Sequence, residues 1–472
     1  MFRFLIIFLS VFSAQAVVAQ QLTLKQAVDV AIERSLAVEQ GTLQMKGDEI
    51  SLYQAKMAQY PNLSAGAGVG LQFGLGVDPT TNNLVQQQIG FNSFNVNAGA
   101  TLYQGGRIRN TIAQSKQQLA SSMANVEATK QDISLQVAQL YLQAILSKEE
   151  LIAANSRLTD AEQQLDRILR LIQAGSAAPA DRFELESNVA RQQQAVTQSE
   201  NAVSLALLQL RQLLRMPAGE QIDVVSPETI DFDAIRVPVV TPEALYQTAI
   251  NSQPSIRAAA LAEEAALTGI DVAKSNYYPT LSAFGQLDTR FSTSAQTLAG
   301  TNSIVVSQPV TIDGQPSTLG TSQTVPIFED QPYFDQLNNF FGQTVGLNLR
   351  IPIFSNGLAN SAVERAKLSL AQSQLATLQE KQAVEIDVQQ ALQNAVAAMS
   401  DVEASTRAFQ AAEAAYNAAQ KRIDLGAGST FELTSAQILL EQAQVTLIRA
   451  RYQYLFNVKV VDFYLGRPLQ LD

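Results

Sequence analysis

The sequence predicts an α+β membrane protein in which long coiled-coil helical hairpins are joined to a few transmembrane β-strands. Three observations carry that class. One unit occurs twice along the chain, each copy sustains a seven-residue apolar repeat, and each copy also holds segments that alternate with a period of two.

The chain opens MFRFLIIFLSVFSAQAVVAQ. An apolar run from Phe4 to Phe12 is followed by small residues, and both Ala14-Gln15-Ala16 and Val17-Val18-Ala19 fit a signal cleavage site. Residues 1–19 are expected to be a secretory signal peptide; an uncleaved anchor helix is the competing reading, but the run falls short of the ~20 residues a span needs. Beyond it no long uncharged apolar stretch occurs, which rules out helical spans and leaves β-strand spans open. Cys, His and Trp are absent, so there is no disulfide framework, no imidazole base and no thiolate or imidazole metal ligand. With 43 acidic against 32 basic residues the chain is not built to wrap nucleic acid.

The duplication is read directly. LTLKQAVDVAIERS from Leu22 aligns with VTPEALYQTAINSQ from Val240, and AKMAQYPNLSA from Ala55 aligns with AKSNYYPTLSA from Ala273 at the same spacing. Further on the spacing lengthens, so that Gly106 meets Gly357, Gly175 meets Gly426 and Pro217 meets Pro468. The extra residues fall in the second copy, within a segment 293–340 rich in Ser, Thr, Gln, Asn, Gly and Pro that is expected to be a long loop projecting into solvent. This divides the chain into a first repeat at 20–217 (helix, two strands, long helical hairpin), a linker at 218–239, a second repeat at 240–468 and a tail at 469–472.

The apolar seam of the first long helix runs Ile112, Leu119, Val126, Ile133, Leu140, steps by four to Ala144, and resumes its sevens through Leu151, Leu158, Leu165 and Ile172. The second copy takes the same step at the equivalent place, from Ala391 to Ala395. Sevens impose a left-handed supercoil and a four-residue insertion relaxes it locally. With no Pro or Gly between about 107 and 174, this helix is expected to be roughly 100 Å long, and a returning helix is expected from about 181 to 215.

Period-two alternation marks Leu63 to Leu75, Phe94 to Leu102, Leu281 to Phe291 and Val345 to Ile353. A soluble sandwich fits the pattern too, but four strands leave too little sheet to bury a core. Four strands also cannot close into a barrel, and open edges are not tolerated in hydrocarbon, so several chains would have to share one. Gly105-Gly106 and Asn356-Gly357 stand where a strand becomes a helix; Tyr60-Pro61 and Tyr278-Pro279 stand where a helix becomes a strand.

In this order, twice, LTLKQAVDVAIERS, YPNL and YPTL, LYQGGR and PIFSNG, and two helix-turn-helix tips resemble the TolC-like outer-membrane efflux channel family, the outer-membrane factors. The resemblance implies a homotrimer in which each chain gives four strands to one twelve-stranded barrel, and helices that form a periplasmic tunnel. A belt around the tunnel would come from 217–239, the helices near 22–38 and 241–253, and the tail. It implies outer-membrane lipid around the barrel, a periplasmic adaptor (membrane fusion protein) at the hairpin tips, and an inner-membrane RND- or ABC-type transporter. Gly175 and Gly426 can end the long helices and Asp181 and Glu432 favour the first turns of the returning ones; this is also what any capped hairpin does. The resemblance makes these four adaptor-docking candidates, with Pro179 as a departure that could start the returning helix of the first copy.

Family channels close at the periplasmic end through polar and charged links, which makes Asp424, Arg422, Lys421, Arg167 and Arg170 gate candidates; their plainer reading is a solvated helix face. The family's acidic positions nearer the tip fall here on Asn417 and Gln420. Threefold symmetry would repeat a lumen-facing Asp424 three times. Carboxylate pairs such as Glu149-Glu150 and Glu263-Glu264 sit among polar helical neighbours, and no nucleophile constellation or acidic metal loop is found. The expectation is a passive duct without cofactor or enzymatic activity; the competing reading is an exported coiled-coil spacer or adhesin without a pore.

Overall fold

The computed structural model describes residues 20–77, 84–86, 88–176, 178–226, 230–232, 234–425, 427–467 and 469. The expected signal peptide, Gly426 and the end of the tail lie outside these.

In chain order the elements are β1 (Gln20–Leu22), α1 (Leu24–Arg34), α2 (Leu36–Met57), β2 (Asn62–Gln72), β3 (Leu75–Val77), β4 (Leu84–Gln86), β5 (Ile89–Gln104), α3 (Arg107–Gln173), α4 (Asp181–Leu213), β6 (Ile222–Val224), α5 (Pro242–Ser252) and α6 (Pro254–Lys274). A 3₁₀ turn at Ser275–Tyr277 then leads to β7 (Thr280–Ser292), β8 (Gln296–Ile312), β9 (Gln315–Asp330), α7 (Tyr333–Asn339), β10 (Gly342–Arg350), α8 (Leu358–Asp424) and α9 (Thr430–Tyr464). The two long helices, α3 and α8, have 67 residues each. Two compact units result: residues up to Glu49, 116–265 and from Leu370 onward in one, 50–115 and 266–369 in the other.

The first unit is built on matched cores. α1 is held by a capping box, in which Gln26 N–H donates to Thr23 Oγ1 at 3.3 Å and Thr23 N–H donates to Gln26 Oε1 at 3.0 Å. Its Ala27 and Ala31 bury against a cluster containing Val137, Ala144 and Leu210. In the second copy Leu245 and Ala249 of α5 bury with Val388, Ala395 and Val461, at the corresponding positions. The seam's four-residue step thus brings a fully buried alanine, Ala144 or Ala395, to each core, where a small side chain lets the short helix approach closely. β1 and β6 pair in parallel. The buried Tyr141 hydroxyl lies 2.9 Å from the Leu22 carbonyl and 2.8 Å from that of Val225, tying this pair to α3. Burial pushes that phenol up to about 12.

The second unit holds an antiparallel sheet in the order β10-β7-β5-β2. Its strands differ from the sequence reading in detail. β2 stops at Gln72 rather than reaching Leu75, because Gly74 takes φ +104 and breaks the extended run. β10 ends at Arg350, two residues before Pro352, which has no N–H to continue a ladder. The expected loop 293–340 is instead a long two-stranded hairpin, β8–β9, followed by α7. Asp313-Gly314, with φ of +51 and +84, makes its two-residue turn.

Candidate functional site

The sheet has two chemically different faces, which its register sets. Leu63 pairs with Ala98, Val96 with Leu287, and Leu347 with Ala283, so these residues share one face. Ser64 pairs with Asn97, and Asn97 with Gln286, which places Asn95, Asp288 and Thr344 on the opposite, polar face. Among the described residues nothing covers the apolar face: Leu63 is 75% exposed, Val69 87% and Val345 89%. Apolar outside, polar inside and strands of about ten residues are the requirements for a membrane barrel wall. β2 and β10 are the sheet's edges, and among the described residues neither has a second partner strand.

The junctions explain how strand and helix join. Gly105 and Gly106 adopt φ of +56 and +77, and Asn356 and Gly357 adopt +50 and +76; Asn is one of the few side chains that tolerates this region. Gly105 has a second constraint, since a Cβ there would lie 2.6 Å from Cβ of Tyr278. Tyr278 and Pro279 link the 3₁₀ turn to β7, as Tyr60 and Pro61 link α2 to β2. Arg107 Nη1 donates to Asn276 Oδ1 at 3.0 Å across the same corner.

At the tips, Gly175 follows α3 at φ +72 with open space around it. Asp181 is the first residue of α4; its N-cap is Ala180, which makes no side-chain cap. Pro179 does not start α4 but lies two residues before it, in a turn. The second tip is capped properly: Glu432 N–H donates to Ser429 Oγ at 3.2 Å. Glu432 also pairs with Arg422 at 3.1 Å, so a docking candidate and a gate candidate bind each other within one hairpin. Arg170 pairs with Asp166 of its own helix at 2.9 Å, and Lys421 and Arg167 are exposed. Asp424 is the last residue of α8; its side chain lies outside what the structure describes.

The residues that join the two hairpins were not among the sequence candidates. Thr430 Oγ1 donates to Glu184 Oε2 at 3.1 Å, and Gln164 Nε2 to the Tyr416 hydroxyl at 3.1 Å. Further along, Asn188 Nδ2 donates to Gln437 Oε1 at 3.3 Å and Gln192 Nε2 to Glu441 Oε1 at 2.8 Å. Burial, then Asp160, raises the Tyr416 phenol above its ordinary value. Burial pulls the Arg157 guanidinium down, partly offset by Glu441 and Glu150. Tyr416 stands in the seam of α8 at the position that Leu165 holds in α3.

The model of the family described as outer membrane efflux protein matches residues 27–214 and 245–467, which cover both repeats. The chain belongs to the outer membrane efflux protein family. It is an outer-membrane protein of a Gram-negative bacterium with a periplasmic tunnel, as the resemblance to TolC-like channels implied. Outer membrane protein TolC of Salmonella enteritidis is 22% identical over 407 residues, spanning 85% of this chain and 75% of that protein. Among solved structures, CusC superposes with a TM-score of 0.74 at 18% identity, covering 94% of this chain and 92% of the other. The Neisseria gonorrhoeae MtrE outer membrane channel, solved in its open state, gives 0.70 at 18% identity and covers 95% and 90%. Among the described residues no helix is long and apolar enough to cross a membrane, and no cluster of three acidic side chains is placed to hold a metal.

Proposed function

We propose that three copies of the chain close their four-stranded sheets into one twelve-stranded barrel and their helices into a tunnel, forming the exit duct of a tripartite efflux pump or type I secretion system. The duct conducts small molecules or exported substrates passively. A periplasmic adaptor binds the tips around Gly175, Asp181, Gly426 and Glu432, an RND- or ABC-type transporter of the inner membrane supplies the energy, and the chain itself does no covalent chemistry. The observation that carries this reading is the sheet: an uncovered apolar face bounded by two unpaired edges, β2 and β10, is stable in hydrocarbon only when the edges meet other strands. Arg422, Lys421, Asp424, Arg167 and Arg170 lie near the ends of α3 and α8 and are read as the charged surroundings of the periplasmic constriction. The hairpin-to-hairpin bonds of Gln164 with Tyr416 and of Glu184 with Thr430 hold it narrow.

Planar-bilayer recording tests this. The purified protein is expected to give discrete current steps, and Tyr416→Phe combined with Thr430→Val to raise the mean step severalfold by freeing one hairpin from the other. A protein that inserts without conducting would be a spacer rather than a duct.

A further inference from the structure

The hairpin between β7 and β10 has no role in the duct described above. β8 and β9 pair continuously from Gln296↔Asp330 to Ile312↔Gln315, with one irregularity between Leu298 and Gly300. Beyond it, the register divides the side chains into two sets. One face carries Ile304, Val306, Val310, Leu319, Val325 and Ile327, each opposite a polar residue or glycine such as Gln323, Thr321 or Gln308; the other has Val305 as its lone aliphatic among Ser303, Ser307, Thr318, Ser322 and Thr324. On that second face the Ser303 and Ser322 hydroxyls lie 2.6 Å apart. Among the described residues nothing covers the aliphatic face, where Ile304 is 44% exposed and Ile327 45%. A two-stranded ribbon is marginal in water by itself, and an uncovered aliphatic face calls for a partner.

We propose that this face docks on a second copy of the chain, so that the hairpins of one trimer pack their aliphatic faces together; the inference rests on the trimeric reading above. Edge pairing is disfavoured. Pro309, Pro316 and Pro326 all belong to the pairs of the hydroxyl face, and a proline can stand there only where its missing N–H faces the open edge. Both strand edges are therefore blunted against added strands, which leaves the flat face as the binding surface. Charge narrows the occupant. From Gln296 to Asp330 the charged residues are Asp313, Glu329 and Asp330, with no Lys or Arg, so an anionic lipid surface gains nothing from this segment, whereas an uncharged aliphatic face suits its own copy. Position agrees as well, because the hairpin rises from β7 and returns through α7 into β10, the edge strand that must meet the neighbouring chain.

The chain has no cysteine, so single cysteines report cleanly on the full-length, detergent-extracted protein. Ile304→Cys is expected to react with a charged maleimide at least tenfold more slowly than Val305→Cys, and a short bismaleimide to join chains through Ile304→Cys but not through Val305→Cys. Val310→Cys with Ser307→Cys repeats the comparison should the first pair fold poorly. Equal rates in a sample with the native mass of a trimer overturn the docking surface and leave the trimer standing. So does slow labelling without interchain cross-links, or protection confined to lipopolysaccharide vesicles, which would assign the face to lipid. A monomeric native mass overturns both readings together.

Discussion

Gly105 and Gly357 show how far a single residue's role depends on what lies across from it. Both take positive φ at a strand-to-helix corner, but Gly105 faces Tyr278 whereas Gly357 has no atom within 4 Å of where a Cβ would stand. Gly357→Ala is expected to cost about 1–2 kcal/mol, the penalty for an L side chain in the left-handed region. Gly105→Ala adds a clash with Cβ of Tyr278, the least movable atom of that side chain, and is expected to cost clearly more, seen as a larger fall in the thermal transition; equal losses would mean that Tyr278 does not constrain the corner. The core beneath α1 has a comparable anchor in Tyr141. Its hydroxyl is buried against two carbonyls, and Tyr141→Phe is expected to cost about 1 kcal/mol. An unchanged transition temperature would show that water or a neighbouring group satisfies those carbonyls instead.

The long helices carry the most legible signal in the sequence, because a seven-residue seam with a matching step in both repeats has no other simple structural reading; α3 follows the expected span nearly to the residue, and α8 has the same length. Legibility fails where composition misleads or where partners are distant. The segment 293–340 looks like a loop because Ser, Thr and Gln dominate it, although Asp313-Gly314 is a hairpin signal in its own right. Gln164 and Tyr416 are 252 residues apart, and nothing local to either announces the other. Nor did local pattern reveal the acidic contact between α3 and α8. Burial, then Glu380 and Asp387, raises the Asp132 carboxyl above its ordinary value, and burial, then Glu380, raises that of Asp387. The folded protein therefore holds these protons more tightly than the unfolded chain does, so this contact loses stability as pH rises from the ordinary carboxylate range through the raised values. Asp132→Asn is expected to raise the thermal transition at neutral pH and to flatten its fall as pH rises above the ordinary carboxylate range. A lower transition in the variant would show that Asp132 is held by a cation rather than crowded by carboxylates.

At the scale of the molecule, two cores repeated in one chain give a protomer that is internally matched but incomplete. α1 and α5 each find a groove of the same kind, and the four-stranded sheet continues the pseudo-repeat, with β2 and β5 from one copy and β7 and β10 from the other. What the repeat cannot supply is a partner for its own ends. The β5–β7 junction joins the copies within the chain, and in the proposed trimer the equivalent junction, β10 to β2, is made between chains. The most direct measurement is the native mass of the protein extracted from the outer membrane in mild detergent. A trimer is predicted, since three protomers give the twelve strands that leave no edge open. A stable monomer with the sheet intact would contradict the account, because the edges of β2 and β10 would then survive in lipid without a partner.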